Sequence, residues 1–347
     1  VYAGGFVAAS QIALGIANTI GWNSMVQFEI VYADSGCGGE TGASAAQALL
    51  DAGVVGVVGA ACSGASTGAN AVLSAAGIPM ISYASTSPGL SDSVAHPDFF
   101  RVVPSDALQG QALSAVVKAD MPADGTVGLI HMTNDYGAGL ADSFTAAFTA
   151  DNSTLCQTLG YEQTATDFSA AVQAMVDSGC TSAVLISYAA DGAMILDEMA
   201  SQMWTGQVYG GDGVAEEGLA ADASSSVNGV IATKPSSGTM GTVGYVFAGL
   251  CAQSADCAGG IYTAEAFDSV VVMALSAFAQ MASPGATLSQ VIMATGQGVA
   301  GASGDISFMA NGDVPGSGYC VGDFTEDAEG AVSFDCNRSW DPVNGLA

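Results

Sequence analysis

The sequence is almost without positive charge. Its 347 residues include only four lysines and arginines, against 33 aspartates and glutamates. A protein that binds nucleic acid must neutralise a row of phosphates, and one that binds anionic lipid needs clustered basic residues. The composition therefore excludes both classes of partner. A net charge of −29 is typical of a soluble protein outside the cell or of a lineage with acidic proteins.

Metal-binding patterns are also missing. The chain has two histidines, His96 and His131, and none of its eight cysteines belongs to a Cys-x-x-Cys pair, so no zinc site is indicated. The acidic segment 323–330 (DFTEDAEG) lacks the spacing of an EF-hand loop, and a solvated hairpin turn is the simpler prediction. We expect no cofactor.

No segment has the features of a membrane span or signal peptide. The uncharged segment 1–22 lacks a basic start and is interrupted by Ser10, Gln11 and Asn18, so it predicts a buried helix. A doubly wound lobe normally opens with a strand, and we interpret the chain as one whose first strand is missing. A lipid or membrane anchor ahead of residue 1 would be compatible with this interpretation.

The cysteines fall into four couples of near neighbours. Because eight cysteines allow 105 pairings, local connectivity is a hypothesis. The couples are Cys37 with Cys62, Cys156 with Cys180, Cys251 with Cys257, and Cys320 with Cys336. Since disulfides persist in oxidising compartments, we predict an extracytoplasmic protein, in a periplasm or at a cell surface.

Apolar strand-like segments alternate with helical patterns along most of the chain. The first three, at 26–34, 54–59 and 78–83, are separated by helical patterns, and the alternation continues to 233. Such alternation predicts parallel sheets covered by helices on both faces. The strands are too many for one sheet, so we predict an α/β fold with two doubly wound lobes and a cleft between them. The tail has short strands between Gly-containing turns and predicts antiparallel pairing.

Three short connections, near 104, 235 and 318, predict where the chain crosses between the lobes. Pro104 follows an extended run just before a helix, which suits a stiff crossover. The predicted domains are 1–104 with 236–318 for lobe 1, and 105–235 with 319–347 for lobe 2.

Small hydroxyl residues follow two consecutive strands. VVGAACSGAS brings Ser63 to a helix start, and ISYASTSPG brings Ala84 and Thr86 to the end of the next strand. Ligands of open α/β sheets bind beyond the carboxyl ends of the strands, where helix N–H groups and hydroxyls suit an anion such as a carboxylate. The alternative is that Ser63 and Ser87 only cap helices. Asp212, in YGGDGV, lies among glycines that would let a ligand approach closely. It either faces a ligand or is an ordinary turn aspartate.

These motifs, in this order, resemble the branched-chain amino acid binding proteins, which are type I periplasmic solute-binding receptors of ABC transporters. The run from YADSGC to ACSGAS is similar to the family signature, and the likeness continues through MISYASTSPGLSD, FFRVVPSDALQGQAL, NDYGAGLADSF and YGGDGV. The resemblance implies a receptor that captures a small amino acid between two lobes and delivers it to an ABC transporter permease. We expect a monomer.

The resemblance also implies a ligand set. Ser63 and Thr86 would hold the ligand carboxylate, and the Ala84 carbonyl would accept from the ammonium. Asp212 falls where the family has an acidic residue, often Glu, that pairs with the ammonium. The aromatic positions are Tyr136 and Tyr188 on the second lobe, with Tyr2 and Tyr262 beside the side-chain pocket. Cys37 and Cys62 match the family's disulfide.

Other functions remain open at this point. A ligand-sensing ectodomain, or an amide or urea receptor, would use the same fold, although Asp212 favours a ligand with an amine. The run GASTG (64–68) fits the G-x-S-x-G motif of hydrolases. Ser66, however, lies past the strand and inside a predicted helix, and neither histidine follows with a supporting pattern. We therefore expect no enzyme.

Overall fold

A computed structural model of the protein describes residues 3–21, 26–223, 227–236, 241–258 and 260–347. The chain divides into two compact units. Unit 1 comprises Val1–Ser105 and Ser237–Gly316, and unit 2 comprises Asp106–Ser236 and Ser317–Ala347. The chain thus passes between the units after residues 105, 236 and 316.

Helices account for much of both units. In chain order they are α1 (Ala3–Gly21), α2 (Gly39–Asp51), α3 (Ser63–Ala75), α4 (Asp106–Asp120), α5 (Asp135–Thr149), α6 (Ser169–Asp177), α7 (Ala189–Ser201), α8 (Glu217–Asp222), α9 (Thr242–Cys251), α10 (Ala255–Ala258), α11 (Thr263–Met281) and α12 (Leu288–Thr295). Short 3₁₀ turns lie at Pro88–Ser91 and Asp212–Val214.

The strands follow the same chain order. They are β1 (Val57–Val58), β2 (Met80–Ser82), β3 (Phe99–Arg101), β4 (Val127–Met132), β5 (Leu155–Tyr161), β6 (Ser182–Ile186), β7 (Gln207–Gly210), β8 (Ile231–Pro235), β9 (Gln297–Ala300), β10 (Asp305–Ser307), β11 (Tyr319–Glu326), β12 (Val332–Asp341) and β13 (Gly345–Leu346).

Unit 2 is built on a mixed sheet in the order β13-β12-β11-β8-β7-β6-β4-β5. Strands β8 to β5 in this order pair in parallel, and β11, β12 and β13 add antiparallel pairs, as the turn-rich tail predicts. Successive residues of β4 point to opposite sides. Leu129 packs with Leu113 and Phe144 of α4 and α5, whereas Ile130 packs in the cluster that holds Ile195 of α7. Helices therefore cover both faces, and the predicted doubly wound α/β architecture is confirmed for this unit.

The described sheet of unit 1 is narrower than predicted. It has three parallel strands in the order β1-β2-β3, with a separate antiparallel pair, β9 and β10. The prediction of a strand over 26–34 is wrong, because this segment does not pair with a strand. Its polar groups bond to α1 instead, where the Asn18 side chain pairs with both backbone groups of Phe28 and Ser10 bonds Tyr32.

Close packing of α2 and α3 sets the position of the α3 N-terminus. A Cβ on Gly42 would lie 2.2 Å from the Ala65 carbonyl oxygen, and one on Gly68 would lie 1.9 Å from that of Gly39. Only glycine allows backbones this close. The Cys37–Cys62 disulfide joins the starts of the same two helices. The other three disulfides join the remaining couples expected from the sequence.

One helix in the described ranges, α11, is long and apolar enough to cross a membrane by length and composition, but half of its apolar window is buried within the protein. The helix also carries buried Glu265 and Asp268. Asp268 accepts hydrogen bonds from the backbone of Ala302 and Ser303. These features are typical of a core helix.

Candidate functional site

The hydroxyl cluster after β2 is not uniform. Ser85 is fully buried, and its Oγ lies 3.1 Å from the Ala60 carbonyl oxygen and 2.8 Å from the Oγ of Ser66. Its backbone N–H donates to Ser82 Oγ at 3.0 Å. These bonds tie the loop to the end of β1 and to α3, so the Ser85 hydroxyl has a structural role.

Ser87 and Ser63 connect the loop to the α3 N-terminus. The Ser87 hydroxyl accepts from the backbone N–H of Gly89 and caps the following 3₁₀ turn, which matches the capping alternative for this residue. Cys62, not Ser63, is the N-cap of α3, and Ser63 is the first helical residue. The Ser63 Oγ accepts from the Ser87 N–H at 3.1 Å. This bond holds the start of α3 beside the residue that follows Thr86.

Thr86 differs from its neighbours. Its side chain is buried, with 1% of the residue exposed, yet its Oγ1 has no hydrogen-bond partner in the protein. A buried hydroxyl that lacks a partner costs about 1–3 kcal/mol, so native structures contain few of them. The first N–H groups of α3 also lack helical partners and lie at the same edge of the unit. This combination suits an incoming acceptor such as a carboxylate.

Aromatic side chains lie along the same edge of unit 1. The rings of Phe6 and Tyr83 are 4.5 Å apart, and Tyr83 and Tyr262 are both partly buried against the cluster that contains Phe6. Burial raises the pKa of Tyr83 well above its usual value. Half-buried Ala84 lies between Tyr83 and the hydroxyl loop. Tyr2, expected beside the side-chain pocket, lies outside the described residues.

Unit 2 contains a second cluster, around Asp212. Asp212 is 4% exposed and begins the 3₁₀ turn after β7. The Tyr136 hydroxyl donates to its Oδ1 at 2.9 Å and accepts from the Gly213 N–H at 3.0 Å. Asp212 is therefore a largely desolvated carboxylate held by a phenol, and not a surface turn residue.

The glycines around Asp212 make room for protein groups. A Cβ on Gly213 would lie 2.4 Å from the Ser187 carbonyl oxygen and 2.8 Å from the Tyr136 hydroxyl, and one on Gly211 would lie 2.7 Å from Leu140. The sequence suggests instead that these glycines let a ligand approach. Within unit 2 their demonstrated role is to admit Tyr136 to Asp212.

Tyr136 and Tyr188 form a stacked pair. Their ring centroids are 5.3 Å apart with an interplanar angle of 8°, and they extend from the N-terminal ends of α5 and α7. Burial raises the pKa of Tyr136 well above its usual value, and the negative charges of Asp212 and Asp106 raise it further. The same causes raise the pKa of Tyr188. Both phenols therefore stay neutral to a higher pH than an ordinary tyrosine.

The rival motifs have structural explanations. Ser66 lies inside α3, where its Oγ accepts from the Ala60 N–H and bonds Ser85, so it is not at a strand–turn–helix elbow. His131 bonds the Met132 carbonyl. The acidic segment after β11 is a hairpin turn in which Asp327 accepts from the backbone of Glu329 and Ala331. Within the described ranges no group of three or more acidic, histidine or cysteine side chains could hold a metal ion.

Arg101 is a residue of this region that sequence reasoning passes over. It is fully buried, and its Nη1 donates to the carbonyl oxygens of Ser85 and Ser87, at 3.0 and 2.9 Å. The available signal is that Arg101 is one of four basic residues in the chain and stands within the apolar run FFRVV. A charge in such a run needs a buried partner.

Comparison with known families identifies the family of this chain. Residues 8–327 match the family described as the receptor family ligand binding region. The chain belongs to this family.

Individual relatives and structural neighbours add detail. The crystal structure of a leucine-binding protein from Thermotoga maritima has a TM-score of 0.84 and 20% identity, over 98% of this chain and 95% of that one. The fold is that of the type I periplasmic binding proteins, as expected. The Leu/Ile/Val-binding protein homolog 3 of Brucella melitensis is 27% identical over 206 residues, which are 59% of this chain and 55% of that protein.

A second kind of relative is named as receptor-like. Metabotropic glutamate receptor-like protein E of Dictyostelium discoideum is 43% identical over 89 residues, which are 26% of this chain. This match spans 11% of the length of the Dictyostelium protein. The match to the Brucella protein spans about half of the length of the Brucella protein. The chain is thus similar both to a protein named for Leu/Ile/Val binding and to one named as receptor-like.

The pKa of Tyr136 predicts how stability depends on alkaline pH. Unfolded tyrosine loses its proton near pH 10, whereas folded Tyr136 keeps it. Below about pH 10 this difference does not change the free energy of unfolding. Above pH 10 the free energy of unfolding falls by about 1.4 kcal/mol per pH unit, because only the unfolded state releases the proton. Tyr136→Phe should make the fall in unfolding free energy between pH 10 and 12 shallower by that amount, measured by urea denaturation. An unchanged slope would show that Tyr136 ionises normally; Tyr188→Phe should behave like Tyr136→Phe.

Proposed function

We propose that this chain is an extracytoplasmic receptor that binds a small amino acid with an aliphatic or small polar side chain, and that it is not an enzyme. The observation that carries the proposal is the buried Thr86 hydroxyl, which has no protein partner and lies beside the α3 N-terminus. Membership of the receptor family and the likeness to a leucine-binding protein support the same ligand class.

In this proposal unit 1 holds the ligand carboxylate. Thr86 Oγ1 and the Ser63 hydroxyl donate to it, as do free N–H groups in the first turn of α3. All of these donors are neutral, so the carboxylate is recognised by dipoles and not by a cation. The Ala84 carbonyl accepts from the ligand ammonium. Phe6, Tyr83 and Tyr262 offer apolar surface to the side chain, with Tyr2 proposed beside them.

Unit 2 supplies the counter-charge for the ammonium. Asp212 is desolvated and already oriented by Tyr136, so a cation would find a fixed carboxylate and pay little to order it. The stacked Tyr188 lies next to Tyr136, and its face offers a further site of attraction for a cation. Each of these residues is expected to contact the ligand.

Transport is the first candidate for the biological role of amino acid binding. We propose that the receptor acts as a monomer and delivers its amino acid to an ABC transporter permease, supported by the likeness to Leu/Ile/Val-binding proteins. Four disulfides support an extracytoplasmic location, in a periplasm or at a cell surface.

A sensing role is the second candidate, favoured by the 43% identity to a receptor-like protein over 89 residues. In that case the chain would be the ectodomain of a signalling receptor. The full-length gene and its neighbours separate the two: permease and ATPase genes alongside indicate transport, whereas a membrane-spanning signalling segment in the same reading frame indicates sensing.

Thr86→Val should weaken ligand binding without weakening the ligand-free protein. Valine keeps the shape but removes a hydroxyl that has no partner, so the unfolding temperature should stay level or rise. Loss of a hydrogen bond to a charged ligand costs about 1.5–3 kcal/mol, or about tenfold to a hundredfold in the affinity for L-leucine by calorimetric titration. Ser85→Ala is the matched control, because it removes bonds within the protein and should lower the unfolding temperature. Undiminished affinity in Thr86→Val would remove Thr86 from the site.

Asp212→Asn tests the ammonium assignment. The substitution keeps the shape and an acceptor for Tyr136 but removes the charge. Breaking a desolvated charge pair on one side typically costs about 2–5 kcal/mol, roughly thirtyfold to several-thousandfold in affinity. Asp151→Asn, at an exposed ion pair with Lys118, serves as the control and should bind as the parent does. If Asp212→Asn binds as tightly as the parent, an amide or urea becomes the better ligand class.

The four basic residues predict which amino acids are rejected. Each already has an anionic or aromatic partner: Arg101 with Asp313, Lys118 with Asp151, Arg338 with Asp120, and Lys234 over the Phe334 ring. No lysine or arginine is left for a second carboxylate on the ligand. A thermal-shift screen of the twenty amino acids should therefore show stabilisation by leucine, isoleucine or valine and none by glutamate or aspartate. Stabilisation by glutamate alone would contradict this selectivity.

A further inference from the structure

The guanidinium of Arg101 lies behind the hydroxyl loop of unit 1. Arg101 ends β3 and has no exposed surface. Its Nη1 bridges the carbonyl oxygens of Ser85 and Ser87, and its Nη2 donates to Ser91 Oγ at 2.7 Å. The two carbonyls belong to the residues on either side of Thr86. Arg101 therefore fixes the Ser85–Thr86 peptide plane and the plane that follows Ser87, whereas the Thr86–Ser87 plane is held by the bond from the Ser87 N–H to Ser63. Arg101 does not bond Thr86 itself.

Asp313 balances the buried charge. Its Oδ1 accepts from Arg101 Nε at 2.6 Å, and its Oδ2 accepts from Ser91 Oγ and Asn311 Nδ2 at 2.7 and 2.9 Å. The pair is thus electrically neutral and nearly saturated with hydrogen bonds. Because its charge is already compensated, Arg101 contributes geometry to the loop and little net charge to any ligand.

A general stabilising role for this ion pair would not explain its geometry. Replacing a buried ion pair by apolar residues of similar volume is often neutral or stabilising, so such pairs are poor sources of stability. Here the bonds converge on a three-residue loop whose middle side chain is left without a partner. Binding groups held before the ligand arrives lower the ordering cost of binding.

We propose that Arg101, compensated by Asp313, is a positioning residue that pre-orders the Ser85–Ser87 loop so that Thr86 faces the ligand carboxylate. This inference rests on the proposed function for its ligand. The ordering of the loop itself rests only on the bonds of unit 1.

The test is a charge-free double variant, Arg101→Met with Asp313→Leu. Removing both partners avoids an unpaired buried charge, so the variant should fold. Its loss of stability, measured by urea denaturation, should be limited to the cost of the Ser85 and Ser87 carbonyls that lose their donor. Its affinity for L-leucine should fall about tenfold or more in calorimetric titration. Arg338→Met with Asp120→Leu is the matched control, because it removes a bidentate pair at the surface of unit 2 and should leave affinity unchanged.

A double-mutant cycle that combines this double variant with Thr86→Val distinguishes a positioning role from a general loss of structure. If Arg101 acts through Thr86, the double variant should lose far less affinity in the Thr86→Val background than in the parent. Full additivity of the two losses would overturn the inference, as would parental affinity in the double variant. Arg101→Lys, which keeps the charge but not the planar fork, should lose affinity as well.

Hydrogen exchange of the ligand-free protein separates this inference from the proposed function. The N–H groups of Ser85 and Ser87 bond Ser82 and Ser63, and they should exchange faster in the double variant while those of β4 remain protected. Unchanged exchange would overturn the inference. If the parent binds none of the twenty amino acids, the proposed function fails, and faster exchange at the loop would still support its ordering by Arg101.

Discussion

The hydroxyl loop of unit 1 is built around one buried charge. A guanidinium taken out of water costs several kcal/mol unless its donors are bonded and its charge is balanced. Arg101 meets both conditions only when Asp313, 212 residues further along the chain, and the loop after β2 are in place together. The ion pair therefore joins three distant segments: the end of β3, the hydroxyl loop, and the segment that precedes the passage to unit 2 after residue 316.

This constraint gives the neighbouring hydroxyls different roles. Ser85 bonds the β1 end, Ser87 caps a turn, and the Ser63 oxygen accepts from the loop backbone. Each of these bonds reduces the number of loop conformations. Thr86 alone in this loop keeps a buried hydroxyl without a partner. Because hydrogen bonds restrict the rest of the loop, the Thr86 hydroxyl is already positioned. A ligand that binds it would therefore lose little further entropy in ordering the loop.

Much of the fold was accessible from the sequence. The βα alternation of unit 2 is read correctly because its central strands are buried on both faces and thus form continuous apolar runs, such as VGLIHM and SAVLI. The antiparallel tail follows from its glycine turns. The segment 26–34 shows the limit of pattern reading. Its alternation is that of a strand, but a strand is defined by a backbone partner, and here Asn18 of α1 bonds Phe28 instead.

The candidate site was accessible only in part. Its strand ends were recognisable because ligands of α/β sheets gather there, and the resemblance assigned a role to each residue. Sequence cannot separate Thr86 from Ser85 and Ser87, since three adjacent hydroxyls differ only in their partners. The sequence also suggested that Gly211 and Gly213 leave room for a ligand. In the structure, the space that a Cβ would take at these glycines is occupied by Leu140, Tyr136 and a backbone carbonyl.

The extreme net charge is compatible with the neutral carboxylate site that we propose, for a physical reason. A field from 33 acidic residues repels an anion, although at physiological salt the repulsion decays over about 8 Å. An amino acid zwitterion carries no net charge, so this field acts only on its dipole and does not oppose its approach. Specific recognition then has to be local, from hydroxyls and N–H groups for one end and a single carboxylate for the other. The proposed site would need no cation of the protein, and the same scarcity would leave a second ligand carboxylate without a partner.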